Sequence, residues 1–305
     1  MRPADLRSKL IGPIAFPVTP FTSDLQLDLP GLRANVRVLL EQPPAAIVAA
    51  GGTGELYSLT PAEHLDVVRL VVEACAGRVP VVAGVGFNPT LGAMLARQAA
   101  DAGAQGILVF PPYYPNADEQ GLIAYYRAIA EATPLGVLIY SRDWFHPSAS
   151  VVERLTRIET LIAWKDGQGD LRRLQILMGA VGDRLHWIGG AGDDLVPAYY
   201  AAGIRAYTSS VSNVAPALSL ALHEHAARGD AASLAPIMHS LIVPLYALRG
   251  RRRGHEVSVM KALMDRLGFA GGPVRPPLVD LTADERSLLT PLVPGFRNWY
   301  ISRSK

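Results

Sequence analysis

Eight short apolar runs, spaced fairly evenly through the first 211 residues, constrain this chain more than any other feature of its sequence. They are IGPIAFPV from Ile11, AAIVAAGG from Ala45, VPVVAGVG from Val79, GILVFPP from Gly106, LGVLIYS from Leu135, LIAWKDG from Leu161, LHWIGG from Leu185 and AYTSSV from Ala206. Each has the length of a strand, and nearly all lack the alternation of a half-exposed strand. Continuous apolar runs of this length fit strands buried on both faces of a parallel sheet. Helix-like stretches lie between them. Thr60-Pro61-Ala62-Glu63 reads as a capping box with proline at the first helical position, and Asn88-Pro89 opens a second amphipathic stretch that Gly103 can close. Residues 119–131, 148–157, 170–181 and 194–203 read similarly. A βα unit repeated eight times predicts an α/β fold, the (β/α)₈ TIM barrel. An open doubly wound sheet is the rival, but eight repeats with no second zone of composition favour closure. From about residue 215 to 268 the sequence reads as helix without new strands. The predicted organisation is a barrel core over 1–215 and a C-terminal helical extension over 216–305 packed on it, a single-domain protein overall.

Composition narrows the partners. Half the residues are hydrophobic and 18% are charged, which excludes a disordered chain. Lys and Arg number 29 against 27 Asp and Glu, and that near balance gives no electrostatic reason to expect nucleic acid. The one basic cluster, Arg249 with Arg251 to Arg253, has no interleaved aromatics and reads better as a solvated helix end, an intersubunit contact or anion steering. A single cysteine, Cys75, excludes an internal disulfide framework and suits a reducing cytosol. The N-terminus lacks the apolar core of a signal peptide, and no run of about 18 uncharged apolar residues is present. The expectation is a soluble, cytoplasmic protein with no membrane partner. The seven histidines show no ligand spacing, so no metal site is expected.

In a TIM barrel the chemistry sits at the C-terminal ends of the strands. The most informative residue there is Lys165, in LIAWKDG. A desolvated ammonium is costly, so its pKa should fall and free amine become available near neutral pH. Such an amine can attack a ketone and form a Schiff base, whose protonated form is an electron sink. The alternative is a lysine paired with Asp166 at the barrel rim. Tyr140 ends the preceding strand and could shuttle protons beside the lysine, or simply plug the barrel. The loop GGTGE, Gly51 to Glu55, offers backbone N–H groups and the Thr53 hydroxyl to a carboxylate, or is a tight turn that needs glycine.

The order GxTGE, a Tyr-Tyr pair, a tyrosine ending strand five and Lys-Asp-Gly on strand six resembles the lysine-dependent dihydrodipicolinate synthase and N-acetylneuraminate lyase superfamily. The resemblance covers essentially the whole chain. Within the superfamily it is most similar to the 5-dehydro-4-deoxyglucarate dehydratases, through segments such as WKDGQGD from Trp164, YTSSVSN from Tyr207 and GGPVRPPLVDLT from Gly271.

The resemblance implies that Lys165 forms the Schiff base and Tyr140 relays protons. It implies that Gly52 and Thr53 hold the carboxylate beside the ketone, and that Ser209, Ser210 and Asn213 line the pocket from strand eight. Tyr114 matches a tyrosine that synthases lend to a neighbouring subunit's relay. The relay's threonine is replaced here by Gly52, which argues for the dehydratase. The chain departs from the dehydratase pattern at Ser141 and Ser212. Arg142, beside Tyr140, is a candidate for reading a distal carboxylate, because a guanidinium forks onto one. The implied activity is a decarboxylating dehydration of a keto-deoxy sugar diacid, giving 2,5-dioxopentanoate, carbon dioxide and water without a cofactor, in a homodimer or homotetramer. Retro-aldol cleavage of a 2-keto-3-deoxy sugar acid through the same imine is the nearest alternative, and a non-catalytic sugar-acid binder is the rival from another class.

Overall fold

A computed structural model describes residues 1–113 and 117–301; Tyr114 lies outside the described residues. The eight apolar runs each hold one strand: β1 (Gly12–Ala15), β2 (Ala46–Ala49), β3 (Val81–Val85), β4 (Gly106–Val109), β5 (Gly136–Ser141), β6 (Leu161–Asp166), β7 (His186–Gly189) and β8 (Ala206–Ser209). All pairs are parallel and in sequence order, and β8 returns to β1 with Gly12 opposite Ala206 and Ala15 opposite Ser209. The sheet is closed, so the rival open sheet is excluded.

Seven helices join or follow the strands on the outside: α2 (Leu29–Leu39), α3 (Pro61–Cys75), α4 (Pro89–Asp101), α5 (Glu119–Ala130), α6 (Ala149–Leu155), α7 (Leu171–Val181) and α8 (Val196–Ala201). Their starts follow local chemistry. Thr60 and Glu63 form the reciprocal capping box that the sequence suggests, and Asn88, Asp118, Ser148 and Asp170 each accept a backbone N–H three residues on. Caps of this kind are worth about 1 kcal/mol each. The eighth outer helix is α9 (Pro216–Ala227), which packs on α8 and β1.

Side chains alternate between two cores. One lies between strands and helices. The other fills the barrel, with Ile14, Val48, Val82, Leu108, Leu138 and Ile188 pointing inward. Helix α1 (Pro3–Lys9), which the sequence reading did not anticipate, places Leu6 in the interior cluster and packs on β5 and β6. It stoppers the N-terminal end of the barrel, so the open end is the one that carries the strand C-termini.

Beyond α9, a continuous helical rod runs from α10 (Ala231–Ile237) through a π-helical turn at Met238–Ile242 to α11 (Val243–Arg249). By length and composition alone it is apolar enough to cross a membrane, with 28% of its most apolar window buried in the chain. Leu234, Ile242 and Leu245 seat one side of it in the core. Helices α12 (His255–Leu267), α13 (Ala283–Ser287) and α14 (Val293–Ile301) complete the C-terminal block.

Candidate active site

The inward-facing positions change character toward the C-terminal end of the barrel. Lower down they are branched aliphatics. At the top they become Phe16, Phe110, Tyr140 and Lys165, with Gly52, Gly84 and Gly190 at strand ends alongside them. Lys165 and Tyr140 are register partners on β6 and β5, so the two side chains rise together into one space. Lys165 is 4% exposed. Its Nζ sits 3.2 Å from the centre of the Tyr140 ring and donates to the Gly190 carbonyl at 3.2 Å.

No carboxylate lies within salt-bridge distance of Lys165 among the described residues. Asp166, the alternative partner, faces the other side of β6. It accepts from Tyr199 Oη at 2.8 Å and from the Gln168 and Gly169 N–H groups at 3.1 Å. Burial lowers the Lys165 ammonium to about 8, only partly offset by the neighbouring tyrosine. Burial alone would raise the Tyr140 phenol. The cationic neighbours Lys165 and Arg142 outweigh it and bring the phenol below its ordinary value. Arg142 Nη1 donates to Tyr140 Oη at 3.1 Å, and Arg142 Nε contacts Asp143 at 3.4 Å. That uses two of the five guanidinium N–H donors.

Glycine makes the room. A Cβ on Gly190 would lie 2.5 Å from Lys165 Cγ and 2.5 Å from the Asp166 carbonyl oxygen. One on Gly84 would lie 2.2 Å from the Ala50 carbonyl. Gly52 differs, because its Cβ would meet only the Phe110 ring at 3.7 Å, an ordinary contact. Its missing side chain therefore leaves open volume rather than relieving a clash. We expect Gly190→Ala to push the lysine off its position and lower kcat about 100-fold, as displacements near 1 Å do, with circular dichroism unchanged. Full turnover in that variant would mean that the lysine's position is not set by strand seven.

The Gly51–Glu55 turn presents unused donors, of which three concern the residues singled out in the sequence. Neither the Gly52 nor the Thr53 N–H, nor Thr53 Oγ1, has an acceptor among the described residues. Free donors on one tight turn suit an anion.

Strand eight splits its three candidates. Ser210 Oγ has no hydrogen-bond partner among the described residues and is free to meet a ligand. Ser209 Oγ is committed to Asp193 Oδ1 at 2.5 Å and to Ser219 Oγ at 2.7 Å. Asn213 is a brace between loops, accepting from the Val18 N–H and donating to the Phe16 and Ser210 carbonyls. Asp193, which the sequence reading passed over, is the hub of this end. It is wholly buried and takes Ser209 Oγ, the Ser210 and Val211 N–H groups and Tyr246 Oη. Burial raises its pKa, and those donors oppose the rise. No spacing rule points to it, since Tyr246 lies 53 residues away in sequence.

Residues 9–294 match the Dihydrodipicolinate synthetase family. A probable 5-dehydro-4-deoxyglucarate dehydratase from Rhizobium meliloti is 38% identical over 301 residues, covering 97% of this chain and all of its own. Another from Saccharopolyspora erythraea is 39% identical over 285 residues, covering 92% of each chain. Dihydrodipicolinate synthase from Bacillus clausii superposes with a TM-score of 0.90 at 29% identity, over 96% of this chain and 99% of that one. With fold and sequence matched along nearly its whole length, this chain belongs to the dihydrodipicolinate synthetase family.

Proposed function

We propose that the protein is a Schiff-base lyase that converts 5-dehydro-4-deoxy-D-glucarate to 2,5-dioxopentanoate, carbon dioxide and water. The observation that carries this reading is the enclosed amine of Lys165, without a carboxylate partner among the described residues and pressed against Tyr140. The curated relatives quoted above, named as probable dehydratases of this substrate, support the choice of reaction.

The steps follow from the imine. Lys165 Nζ condenses with the C5 ketone and releases water. A proton then leaves C4 to Tyr140 or to the substrate carboxylate, the electrons entering the iminium. The C3 hydroxyl departs with a proton as water, leaving a C3=C4 double bond conjugated to the iminium. The C1–C2 bond then breaks. Its electrons form C2=C3, shift the C3=C4 pair to C4=C5 and neutralise the nitrogen, and carbon dioxide leaves. Protonation, tautomerisation of the C2 enol to an aldehyde and hydrolysis of the imine return the lysine. One electron sink serves both eliminations.

Gly52 and Thr53 hold the carboxylate beside the ketone. Arg142 retains three N–H donors for the distal carboxylate while it touches Tyr140. Ser210 lines the pocket; Ser209 and Asn213 act one step back, by fixing the strand-eight loop.

Mass spectrometry after borohydride treatment with a panel of keto-deoxy sugar acids tests the assignment. A reduced adduct on Lys165, with carbon dioxide and a semialdehyde as products, is the expected result. Pyruvate as product would establish the aldolase instead, and no adduct would establish a binder. Arg142→Ala should lower kcat/KM for the diacid by about 100-fold, the cost of one charged hydrogen-bonded contact plus a weakened Tyr140. An unchanged kcat/KM would remove Arg142 from the site.

The barrel and C-terminal helices are read as one folding unit, and the protein as a cytoplasmic homodimer or homotetramer. The thinly covered rod from Ala231 to Arg249, with Val243 exposed upon it, supports self-association. Light scattering that returned only monomer would refute that part.

A further inference from the structure

The segment GGPVRPPLVDLT, which the mechanism leaves unused, runs across the back of the Gly51–Glu55 turn. Glu55 closes that turn in a left-handed conformation, φ 54° and ψ 41°, with its N–H bonded to the Gly52 carbonyl at 3.1 Å. A non-glycine residue there is strained and persists only when its surroundings hold it. What holds it comes from the C-terminal block. Glu55 Oε1 lies 2.5 Å from Lys261 Nζ on α12, and the two side chains are 0% and 1% exposed. Glu55 Oε2 accepts the Arg275 N–H at 3.1 Å, and Lys261 Nζ also donates to the Pro273 carbonyl at 2.8 Å. Arg275 forks onto Glu63 at 2.6 and 2.9 Å and bonds the Leu25 and Ser58 carbonyls. Phe21 lies under both cations, at 4.3 Å from Lys261 and 4.2 Å from Arg275. Thr19 Oγ1 donates to the Gly54 carbonyl at 2.7 Å, tying in the loop after β1.

We propose that the buried Glu55–Lys261 pair, braced by Arg275, is a positioning device that fixes the Gly52 and Thr53 donors in the pose that binds the substrate's keto-acid carboxylate. The inference rests on the reading of that turn as the carboxylate site. Stability alone does not explain the pair, because a buried ion pair is often matched by apolar side chains of similar volume. Its distinctive property is directional. A carboxylate held by an ion pair at one oxygen and a hydrogen bond at the other resists turning, and so restrains the backbone two residues upstream. The C-terminal segment thereby acts on the pocket without touching substrate.

The test uses the full-length protein, with KM and kcat for the diacid, half-saturation of borohydride trapping by pyruvate, and Tm. Lys261→Met should raise KM and the pyruvate half-saturation together by about tenfold, with kcat changed less than about threefold. The double variant Glu55→Gln with Lys261→Met leaves no unpaired charge, so Tm should recover while KM stays high. Unchanged KM in folded Lys261→Met, or KM recovering along with Tm in the double variant, would overturn the proposal. Should Lys261→Met fail to fold, Arg275→Lys keeps the charge and loses the fork. Raised KM at constant kcat then supports the device, and unchanged values refute it. Thr53→Val separates the two layers. If it leaves both constants alone, the hydroxyl's part in the carboxylate reading has failed. If it raises them while the Lys261 and Arg275 variants do not, only the positioning device has failed.

Discussion

Replacing Lys165 by methionine is expected to abolish turnover, by on the order of 10⁵-fold, and at the same time to make the protein more stable at pH 7. The loss follows from removing the nucleophile that converts the ketone into an electron sink, an intramolecular step whose effective molarity is very large. No borohydride-reducible adduct should form. The gain in stability follows from the same burial. The Lys165 ammonium is lowered from 10.5 to about 8 in the folded protein. At about 1.4 kcal/mol per unit, folding with the lysine protonated carries a penalty of about 3 kcal/mol. The unfolded chain binds the proton more tightly between those two values. The penalty is therefore fully present below about pH 8 and fades as the pH rises toward 10.5. Methionine has similar length and no charge, so its Tm should exceed the wild type by a few degrees at pH 7 and converge with it above pH 10. A Lys165→Met protein that is less stable at pH 7 and equally active would refute both halves.

Some of this site is legible in the sequence and some is not, and the division is physical. Each apolar run marks a strand because both faces of a parallel barrel strand are buried, and alternation with capped helices then dictates a closed βα repeat. Barrel topology gathers the strand ends, so Lys165 and Tyr140 can be paired before any coordinates exist. What a run of residues cannot convey is parity at its end. Ser209 and Ser210 look equivalent in AYTSSV, yet one position reverses the face. Ser209 turns toward Asp193 and Ser219, while Ser210 keeps its hydroxyl free. Nor does local pattern betray partners distant in the chain. Glu55 meets Lys261, and Asp193 meets Tyr246, only because the C-terminal helices fold back over the loops. Helix α1 escaped for a simpler reason. It has seven residues, one of them buried, and its cap is an Arg2–Asp5 pair rather than a serine or threonine. The departure at Ser212 is bound locally instead: its hydroxyl donates to the Ser209 carbonyl within its own turn.

Tyr140→Phe is expected to lower kcat by about 10²- to 10⁴-fold, the range for a lost general acid–base group, while leaving the lysine able to form its imine. Phenylalanine keeps the edge-on packing against Phe110, whose ring centre lies 5.3 Å from that of Tyr140, so the barrel should stay plugged and folded. The oxygen matters because one cation touches it and a second lies over its ring. Arg142 donates to it at 3.1 Å and Lys165 lies over the same ring. Together they bring the phenol below its ordinary pKa, within reach of both giving and taking a proton during turnover. The coupling also runs the other way, since Tyr140 raises Lys165 against the lowering effect of burial. Without the phenol the amine loses that support and titrates below about 8. The rising limb of kcat/KM, which reports loss of the lysine proton, should therefore move to lower pH in Tyr140→Phe. Borohydride trapping should follow the same shift, because it needs only the free amine. Lowered kcat with an acid-shifted trapping profile identifies the phenol as the proton carrier. Wild-type kcat, with the trapping profile unmoved, would reduce Tyr140 to a plug in the barrel and leave the C4 proton to the substrate's own carboxylate.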